Sequence, residues 1–438
     1  MLFYNQKTLT TNTEIKNIIK IFEEYQKVPN VPFLPQFTSK FIKYYLEKEN
    51  VEYYENAYTI IINSQPTKDQ NTETKKMVFM AHMDHPGIVI KDKENGIMMG
   101  LNEPKELAQF IDQNPIQIIV YSPNGDFLGK ARITKFNNDS KQRVKIKSDF
   151  DIPKNSYGHF DAPRFSEDNT KIYGYNADDG IMISILLNTV FKKLESKYDI
   201  YFVFNKHEEV FQISSWNLAR WNSLDIEEDD IIINLECLKT VSVNPDKYPV
   251  IGYENGPVLQ LSNKGCLFGY KNPGPNFSEL LVKKTAEKYS LPIQVGLIND
   301  SCDSRPFTQF GITSNICTIT IPNKYKHDGA DDGNIRPEEI YKKDVEYVEE
   351  LLEKIVMSDP NNVLNLNTDS LSEKVKQNDD LTDENLMKYK KKINERLDIA
   401  YKDIVKRGYF YPEKFIDHIS DFILKVVSYI NYLFNKIR

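Results

Sequence analysis

Three features of the sequence predict an α/β fold: a mixed-sheet α/β/α domain with an inserted small β-barrel and a C-terminal helical extension. Short apolar runs alternate with segments of helical spacing up to residue 357. Within this region, residues 88–164 contain mainly short alternating strands, and apolar stripes of helical period return near the C-terminus. We therefore assign 1–87 and 165–357 to the α/β domain, 88–164 to the barrel and 358–438 to a linker and helical hairpin.

Length and composition indicate a soluble protein of more than one domain. The chain has 438 residues, and its net charge of −7 argues against a general nucleic-acid binder. No uncharged apolar run of about 18 residues is present, so we expect no membrane span. The four cysteines form no Cys-x-x-Cys pair and the N-terminus lacks a signal-peptide pattern. We therefore expect a cytoplasmic protein with reduced thiols.

The first part of the chain is predicted to contain two helices and two strands. Residues 13–27 have helical spacing, and Ser39 is a candidate N-cap for a second helix. A strand is predicted over 58–62, and a buried strand begins at Met77 and ends at His82. Asp84 follows this histidine closely, so two polar side chains stand at one end of the sheet.

The inserted segment carries the signals of a small antiparallel barrel. Asn95-Gly96 and Asn124-Gly125 are hairpin signals, because both residue types accept the positive φ angles of tight turns. Residues 116–121, 131–136 and 143–147 alternate as half-buried strands do. We expect these strands to form a separate barrel domain.

After the barrel, strands and helices alternate again. A buried helix is predicted over 181–190, strands over 201–205 and 231–236, and an amphipathic helix over 278–289. We expect a loop around Trp216 and Trp221, and the last helix of the α/β domain to open at Pro337.

The C-terminal segment 380–438 is predicted to be a hairpin of two amphipathic helices. Its apolar stripes favour docking on the core or on another subunit. Attachment to a membrane surface or to a partner helix is the alternative.

Four predicted strands end in side chains that bind metals. His82 ends one strand, His207-Glu208-Glu209 follows the second, Glu236 ends the third, and His327 follows the fourth at 316–321. A single histidine is more often a core or surface residue, and an acidic pair is often a solvated turn. Because ligands of open α/β sheets bind at the carboxyl ends of strands, four such ends favour one metal site.

Two aspartates have candidate roles near this edge. Asp178-Asp179 precedes a predicted helix, so it acts either as an N-cap or as a carboxylate that bridges two cations. Asp84 suits a role in which its carboxylate accepts the N–H of the His82 imidazole and fixes the tautomer.

The candidate ligand set contains two histidines and three carboxylates. Its members are His82, Asp178, one of Glu208 and Glu209, Glu236 and His327. One zinc ion usually takes three protein ligands plus water, so this set fits two divalent ions about 3.5–4 Å apart. We expect zinc, with cobalt or manganese as alternatives. A bridging water would be acidified and a glutamate outside the ligand set would accept its proton, which is hydrolysis of a carbonyl compound.

The order of these motifs resembles the tetrahedral (deblocking and glutamyl) aminopeptidases, a family of co-catalytic dinuclear metallopeptidases. The motifs are His82-Met-Asp84-His-Pro-Gly87, Asn176-Ala-Asp178-Asp179-Gly180, His207-Glu208-Glu209-Val210, Asn234-Leu235-Glu236 and Tyr325-Lys326-His327. Asp300 also lies in a short acidic motif that resembles one of the family. The resemblance spans residues 10–356.

The resemblance implies a role for each residue of the site. One metal ion would be held by His82 and Glu236, the other by Glu209 and His327, with Asp178 as the bridge. The implied general base is Glu208, and Asp84 would orient His82. The implied activity is removal of N-terminal residues from short peptides, by an enzyme that forms homo-oligomers through the inserted domain.

Some residues depart from the family pattern. Glu236 stands where aspartate is usual, and His85, Gly180 and Asp328 are also unusual. These changes surround the site and remove no ligand, so substrate preference is the property they affect most. A metal-dependent dipeptidase or N-acyl amino-acid deacylase is the alternative enzyme. A catalytically silent peptide-binding or scaffold protein is the alternative from another class.

Overall fold

The computed structural model describes residues 2–64, 74–101, 105–137, 142–210, 212–239, 251–260, 276–296, 302–310, 312–332 and 335–359. The predicted hairpin at 380–438, most of the linker before it and Asp300 lie outside these residues.

A mixed sheet forms the centre of the α/β part, with eight strands among the described residues. In spatial order they are β1 (Tyr54–Glu55), β2 (Thr59–Ser64), β12 (Asp199–Asn205), β3 (Lys76–His82), β13 (Ile231–Lys239), β16 (Ile316–Asn323), β14 (Val258–Gln260) and β15 (Gln294–Gly296). The four strands β12, β3, β13 and β16 are parallel neighbours. Their carboxyl ends therefore lie at one edge of the sheet.

Helices cover both faces of this sheet. On one face the core includes residues of α1 (Leu2–Tyr25), α2 (Gln36–Lys48), α4 (Gly180–Phe191), α6 (Phe277–Tyr289) and α8 (Lys342–Val356). On the other face the core includes α5 (Ile213–Trp221) and α7 (Arg305–Phe310).

The apolar sequence of β3 follows from this three-layer arrangement. Phe79 contributes to the core on one face of the sheet, and its neighbours Val78 and Met80 contribute to the core on the other. Because both faces are covered by helices, successive residues are all buried and the strand is apolar without alternation.

A closed barrel of six strands lies between β3 and the return of the chain to the α/β part. It contains β4 (Gly87–Asp92), β5 (Asn95–Met99), β6 (Ile116–Tyr121), β7 (Phe127–Asn137), β8 (Arg143–Lys147) and β9 (Ser156–Phe160), and helix α3 (Lys105–Gln113) follows β5 in the chain. The predicted hairpin at Asn124-Gly125 joins β6 to β7, and Gly125 has a φ of +89° that favours glycine. The mixed α/β fold with a barrel is confirmed, while the domain limits at 87/88 and 164/165 stay a prediction.

A second, three-stranded sheet connects the barrel exit to α8. Its strands are β10 (Phe165–Glu167), β11 (Lys171–Gly174) and β17 (Glu338–Tyr341), with β11 in the middle. Because β11 pairs with β17, the segment just after β11 lies beside Glu338. This pairing becomes important at the functional site.

Four local predictions are wrong. The turn expected at Asn95-Gly96 lies just before these residues, which instead begin strand β5 and pair with β8. Ser39 is no N-cap, because α2 begins at Gln36 and Ser39 is buried within the helix. The segment with both tryptophans is helix α5 rather than a loop. Pro337 precedes strand β17 rather than a helix, since pairing of Ile340 with Ile172 stabilises an extended backbone there.

Two further observations concern the membrane and the thiols. Among the described residues, none of the helices combines the length and the hydrophobicity that a bilayer-spanning helix needs. Cys237, Cys302 and Cys317 are buried and form no disulfide. Each of these thiols lies in the protein interior.

Candidate metal centre

The parallel strands bring the predicted ligands to one edge of the sheet. His82 is the last residue of β3, Glu236 lies in β13, Glu209 follows β12, and His327 follows β16 in a short 3-10 segment. Asp178 lies in the connection between β11 and α4. Residues from five segments of the chain therefore meet at a single position.

Distances within this group show that Asp178 is shared. Its Oδ1 lies 3.4 Å from Nε2 of His82, and its Oδ2 lies 3.4 Å from Nε2 of His327. Nε2 of His82 is also 3.5 Å from Oε1 of Glu236, and Nε2 of His327 is 3.3 Å from Oε1 of Glu209. The structure thus brings all five predicted ligands together in two overlapping sets.

Several ligand atoms of this group make no hydrogen bond within the described part of the chain. They are Nε2 of His82, both carboxylate oxygens of Asp178, Oδ1 of Asp179 and Oε1 of Glu209. Buried polar atoms are normally hydrogen-bonded, so such a concentration requires an explanation. Imidazole nitrogens and carboxylate oxygens are the ligands that zinc-like ions prefer. The residues present therefore fit a pair of divalent ions.

Asp179 does not act as a helix cap. It occupies the N-cap position of α4, but its side chain makes no capping hydrogen bond. Its Oδ2 instead accepts the backbone N–H of His82 at 3.3 Å. One of its carboxylate oxygens also lies within 4.8 Å of a carboxylate oxygen of Asp178 and of Glu236. The acidic pair before α4 thus faces the candidate metal centre.

Glu208 borders the same centre. One oxygen of its carboxylate, one ring nitrogen of His82 and one carboxylate oxygen of Glu209 lie within 4.8 Å of one another. Gln212 donates a hydrogen bond to its Oε1 at 3.1 Å. Burial raises the pKa of Glu208 well above its ordinary value, and the negative charges of Glu236 and Glu209 add to this effect.

Asp84 supports the site by a contact different from the predicted one. The backbone carbonyl of Asp84, rather than its carboxylate, lies 2.9 Å from Nδ1 of His82. The carboxylate oxygen Oδ1 is 3.8 Å from this nitrogen, beyond hydrogen-bond distance. The carboxylate instead accepts the backbone N–H groups of Glu208 at 2.8 Å and Glu209 at 3.2 Å. Asp84 therefore orients both the imidazole and the turn that carries the two glutamates.

Glu338 is a supporting residue that the sequence motifs did not reveal. Its Oε2 accepts the backbone N–H of Asp178 at 2.7 Å, and its Oε1 accepts the backbone N–H of His327 at 2.6 Å. One buried carboxylate thus fixes the backbone of two candidate ligands that are 149 positions apart (327 minus 178). A prediction that residues 338–341 form a strand paired with β11 would have placed Glu338 near Asp178. The sequence analysis instead predicted a helix that begins at Pro337.

Two of the unusual residues contact each other beside the site. Nε2 of His85 lies 3.2 Å from Oδ2 of Asp328, and both side chains are buried. The other imidazole nitrogen lies 2.8 Å from the backbone carbonyl of Asp178. These two departures from the family pattern therefore form one ion pair that contacts the backbone of the central aspartate.

Lys326 is a cation inside this acidic group, and the sequence analysis assigned it no role. Its Nζ lies 3.2 Å from Oε1 of Glu236 and 3.3 Å from Oδ2 of Asp178. Burial acts to raise the pKa of Asp178, but the charge of Lys326 and the contacts with both histidines hold it well below its ordinary value. Burial raises the pKa of Glu236 to about 7, although Lys326 opposes that shift.

Comparison with known protein families identifies one match. Residues 141–336 match the model of the M42 glutamyl aminopeptidase family. This span contains the motifs at Asp178, Glu208-Glu209, Glu236 and His327, whereas His82 lies before it. The resemblance predicted from the motif order is therefore confirmed.

Solved structures match the fold over most of the chain. A TET aminopeptidase from a marine sediment archaeon of the Thaumarchaeota has a TM-score of 0.62 at 14% identity, covering 79% of this chain and 99% of that one. An aminopeptidase from Desulfurococcus kamchatkensis has a TM-score of 0.61 at 14% identity, covering 80% and 97%. The TET1 peptidase of Pyrococcus horikoshii has a TM-score of 0.59 at 16% identity, covering 78% and 100%.

A comparison with curated proteins finds no match. The family match supports the expected enzyme class, a metallo-aminopeptidase, and the solved structures show the same fold.

The position of Glu338 leads to a prediction about metal affinity. Glu338→Gln replaces one of two accepting oxygens by an amide that cannot accept a backbone N–H, so the backbone of Asp178 or His327 loses its anchor. We expect zinc affinity to fall ~10–100-fold, as for other residues that orient metal ligands. Competition with a chromophoric chelator measures this change.

The neighbouring glutamate provides the matched control for this prediction. Glu339 forms an ion pair with Lys171 at 2.8 Å. We expect Glu339→Gln to change zinc affinity by no more than about twofold, because this pair lies outside the centre. Wild-type zinc affinity in Glu338→Gln would contradict the anchoring role.

Proposed function

We propose that this chain, whose residues 141–336 match the M42 glutamyl aminopeptidase family, is a dinuclear-metal aminopeptidase that removes N-terminal residues from short peptides. The observation that carries the proposal is the Asp178 carboxylate, whose two oxygens each lie 3.4 Å from a different histidine nitrogen. A carboxylate shared in this way is what two adjacent divalent ions require.

The proposed ligand assignment follows the two overlapping sets. His82 and Glu236 would hold one ion, Glu209 and His327 the other, and Asp178 both. When bound, the ions polarise the scissile carbonyl and acidify the attacking water. Zinc is the ion we expect, with cobalt or manganese as alternatives, because mixed imidazole and carboxylate ligands suit them.

Glu208 is the residue that we assign to proton transfer. Gln212 occupies its Oε1, so Oε2 would accept the proton of the attacking water and then pass it to the leaving amine nitrogen. A carboxyl whose pKa is raised by burial holds the proton well enough to deliver it to the amine. Asp84 assists by fixing the backbone of this glutamate through the hydrogen bond at 2.8 Å.

Assembly and location belong to the same proposal. The TET1 peptidase of Pyrococcus horikoshii assembles into a tetrahedron or a large octahedral shell. We propose a homo-oligomer formed through the barrel, where Phe127 on β7 is 63% exposed. We place the chain in the cytoplasm, because the three cysteines among the described residues form no disulfide. Light scattering by the full chain tests assembly, and a monomer mass would contradict it.

The role of Glu208 is tested by removing its charge. Glu208→Gln keeps the size of the side chain but cannot accept a proton, so we expect kcat to fall ~10²–10⁴-fold. The number of zinc ions bound at saturation should be unchanged, because this residue is outside the proposed ligand set. Steady-state hydrolysis of aminoacyl anilides and elemental analysis measure the two quantities.

Two comparisons make this experiment decisive. Glu195→Gln changes an exposed glutamate outside the site and should keep wild-type turnover. The same anilides with an acetylated N-terminus should release no aniline, whereas release of acetate from them would favour the N-acyl deacylase. Wild-type turnover in Glu208→Gln would show that the base is another group.

A further inference from the structure

Lys326 is held by the same oxygen atoms that face the two histidines. Its Nζ lies 3.2 Å from Oε1 of Glu236, the oxygen that is 3.5 Å from Nε2 of His82. It also lies 3.3 Å from Oδ2 of Asp178, the oxygen that is 3.4 Å from Nε2 of His327. The ammonium group and a metal ion therefore require the same carboxylate atoms.

Lys326 contacts one oxygen at each candidate ion position, because Oδ2 of Asp178 faces His327 and Oε1 of Glu236 faces His82. The position formed by His82, Asp178 and Glu236 is distinguished by a further donor to the Glu236 oxygen. Oε1 of Glu236 additionally accepts the backbone N–H of Cys237 at 3.1 Å. An ion at this position must displace the ammonium or share an oxygen that already accepts two donors.

The charges of the carboxylates and of Lys326 also indicate that a second divalent ion binds less tightly than the first. Asp178, Glu209 and Glu236 carry three negative charges when ionised, and Lys326 carries one positive charge inside this group. Among the proposed ligands alone, one divalent ion together with the ammonium balances the three carboxylates; Asp179 and Glu208 also lie at this centre but are outside that ligand set. A second divalent ion adds two positive charges next to a buried cation, at short range where Coulomb repulsion is strong.

We propose that Lys326 is a built-in competitor for one metal ion, so that the chain binds a first divalent ion tightly and a second ion more weakly at His82, Asp178 and Glu236. This inference rests on the proposed dinuclear site. It assigns Lys326 a positioning role: the ammonium holds Asp178 and Glu236 in place until the second ion arrives. Occupancy of the second position then depends on the metal concentration around the protein.

The test is a zinc titration of the full chain, stripped of metal, with a competing chelator. For the wild type we expect two steps, the second weaker than the first by ~10-fold or more. In Lys326→Met, which keeps the chain length and removes the charge, the second step should tighten by ~10-fold or more. Lys326→Gln should shift in the same direction, which covers the case in which the methionine variant fails to fold.

Three controls assign the effect. Lys326→Arg keeps the positive charge and should keep the gap between the steps. Lys324→Met removes an equal charge two positions away, from a side chain that is 40% exposed, and should leave both steps unchanged. Glu236→Gln should weaken or abolish the second step and keep the first.

The outcomes separate this inference from the proposed function. Two steps of equal affinity in the wild type, or a second step that Lys326→Met and Lys326→Gln leave unchanged or weaken, would overturn the role of Lys326 while leaving a dinuclear site. Failure of the wild type to bind zinc in either step would overturn the proposed function itself.

Discussion

Burial of several carboxylates at one point is the constraint on which this site depends. Asp178, Glu236 and Glu208 are all buried at the carboxyl edge of the sheet, and Asp179 joins them. Each ionised carboxylate that leaves water without a partner costs several kcal/mol, so the group cannot persist uncompensated. Histidine contacts and Lys326 offset part of this cost, and divalent ions would offset the rest. The same charge that makes the site costly to fold makes it a strong binder of cations.

The fold meets this constraint by fixing the backbone around the ligands. Parallel pairing of β12, β3, β13 and β16 fixes where four of the ligand segments end. Glu338 anchors the backbone of Asp178 and His327, and the carboxylate of Asp84 anchors the turn at Glu208. Acidic side chains are thus used twice, as candidate ligands and as acceptors that hold those ligands. Such preorganisation limits the rearrangement that metal binding requires.

Features that depend on the local pattern of apolar and polar residues could be predicted from the sequence. The apolar runs before His82 and Glu236 predicted buried strands, and the polar residues at their ends predicted the meeting point. Contacts between distant segments could not be predicted in this way. Glu338, the pair formed by His85 and Asp328, and the position of Lys326 all depend on tertiary packing. Pro337 illustrates the limit, because proline fits both a helix start and the residue before a strand, and only the pairing of β17 with β11 decides.

The most direct test of the account is an anomalous diffraction map, recorded at the zinc edge from crystals of the full chain saturated with zinc. The account predicts two peaks at the carboxyl edge of the sheet, one bound by His82 and Glu236 and one by Glu209 and His327. Asp178 should contact both. Peaks elsewhere, or a single ion with one histidine turned away, would contradict the account.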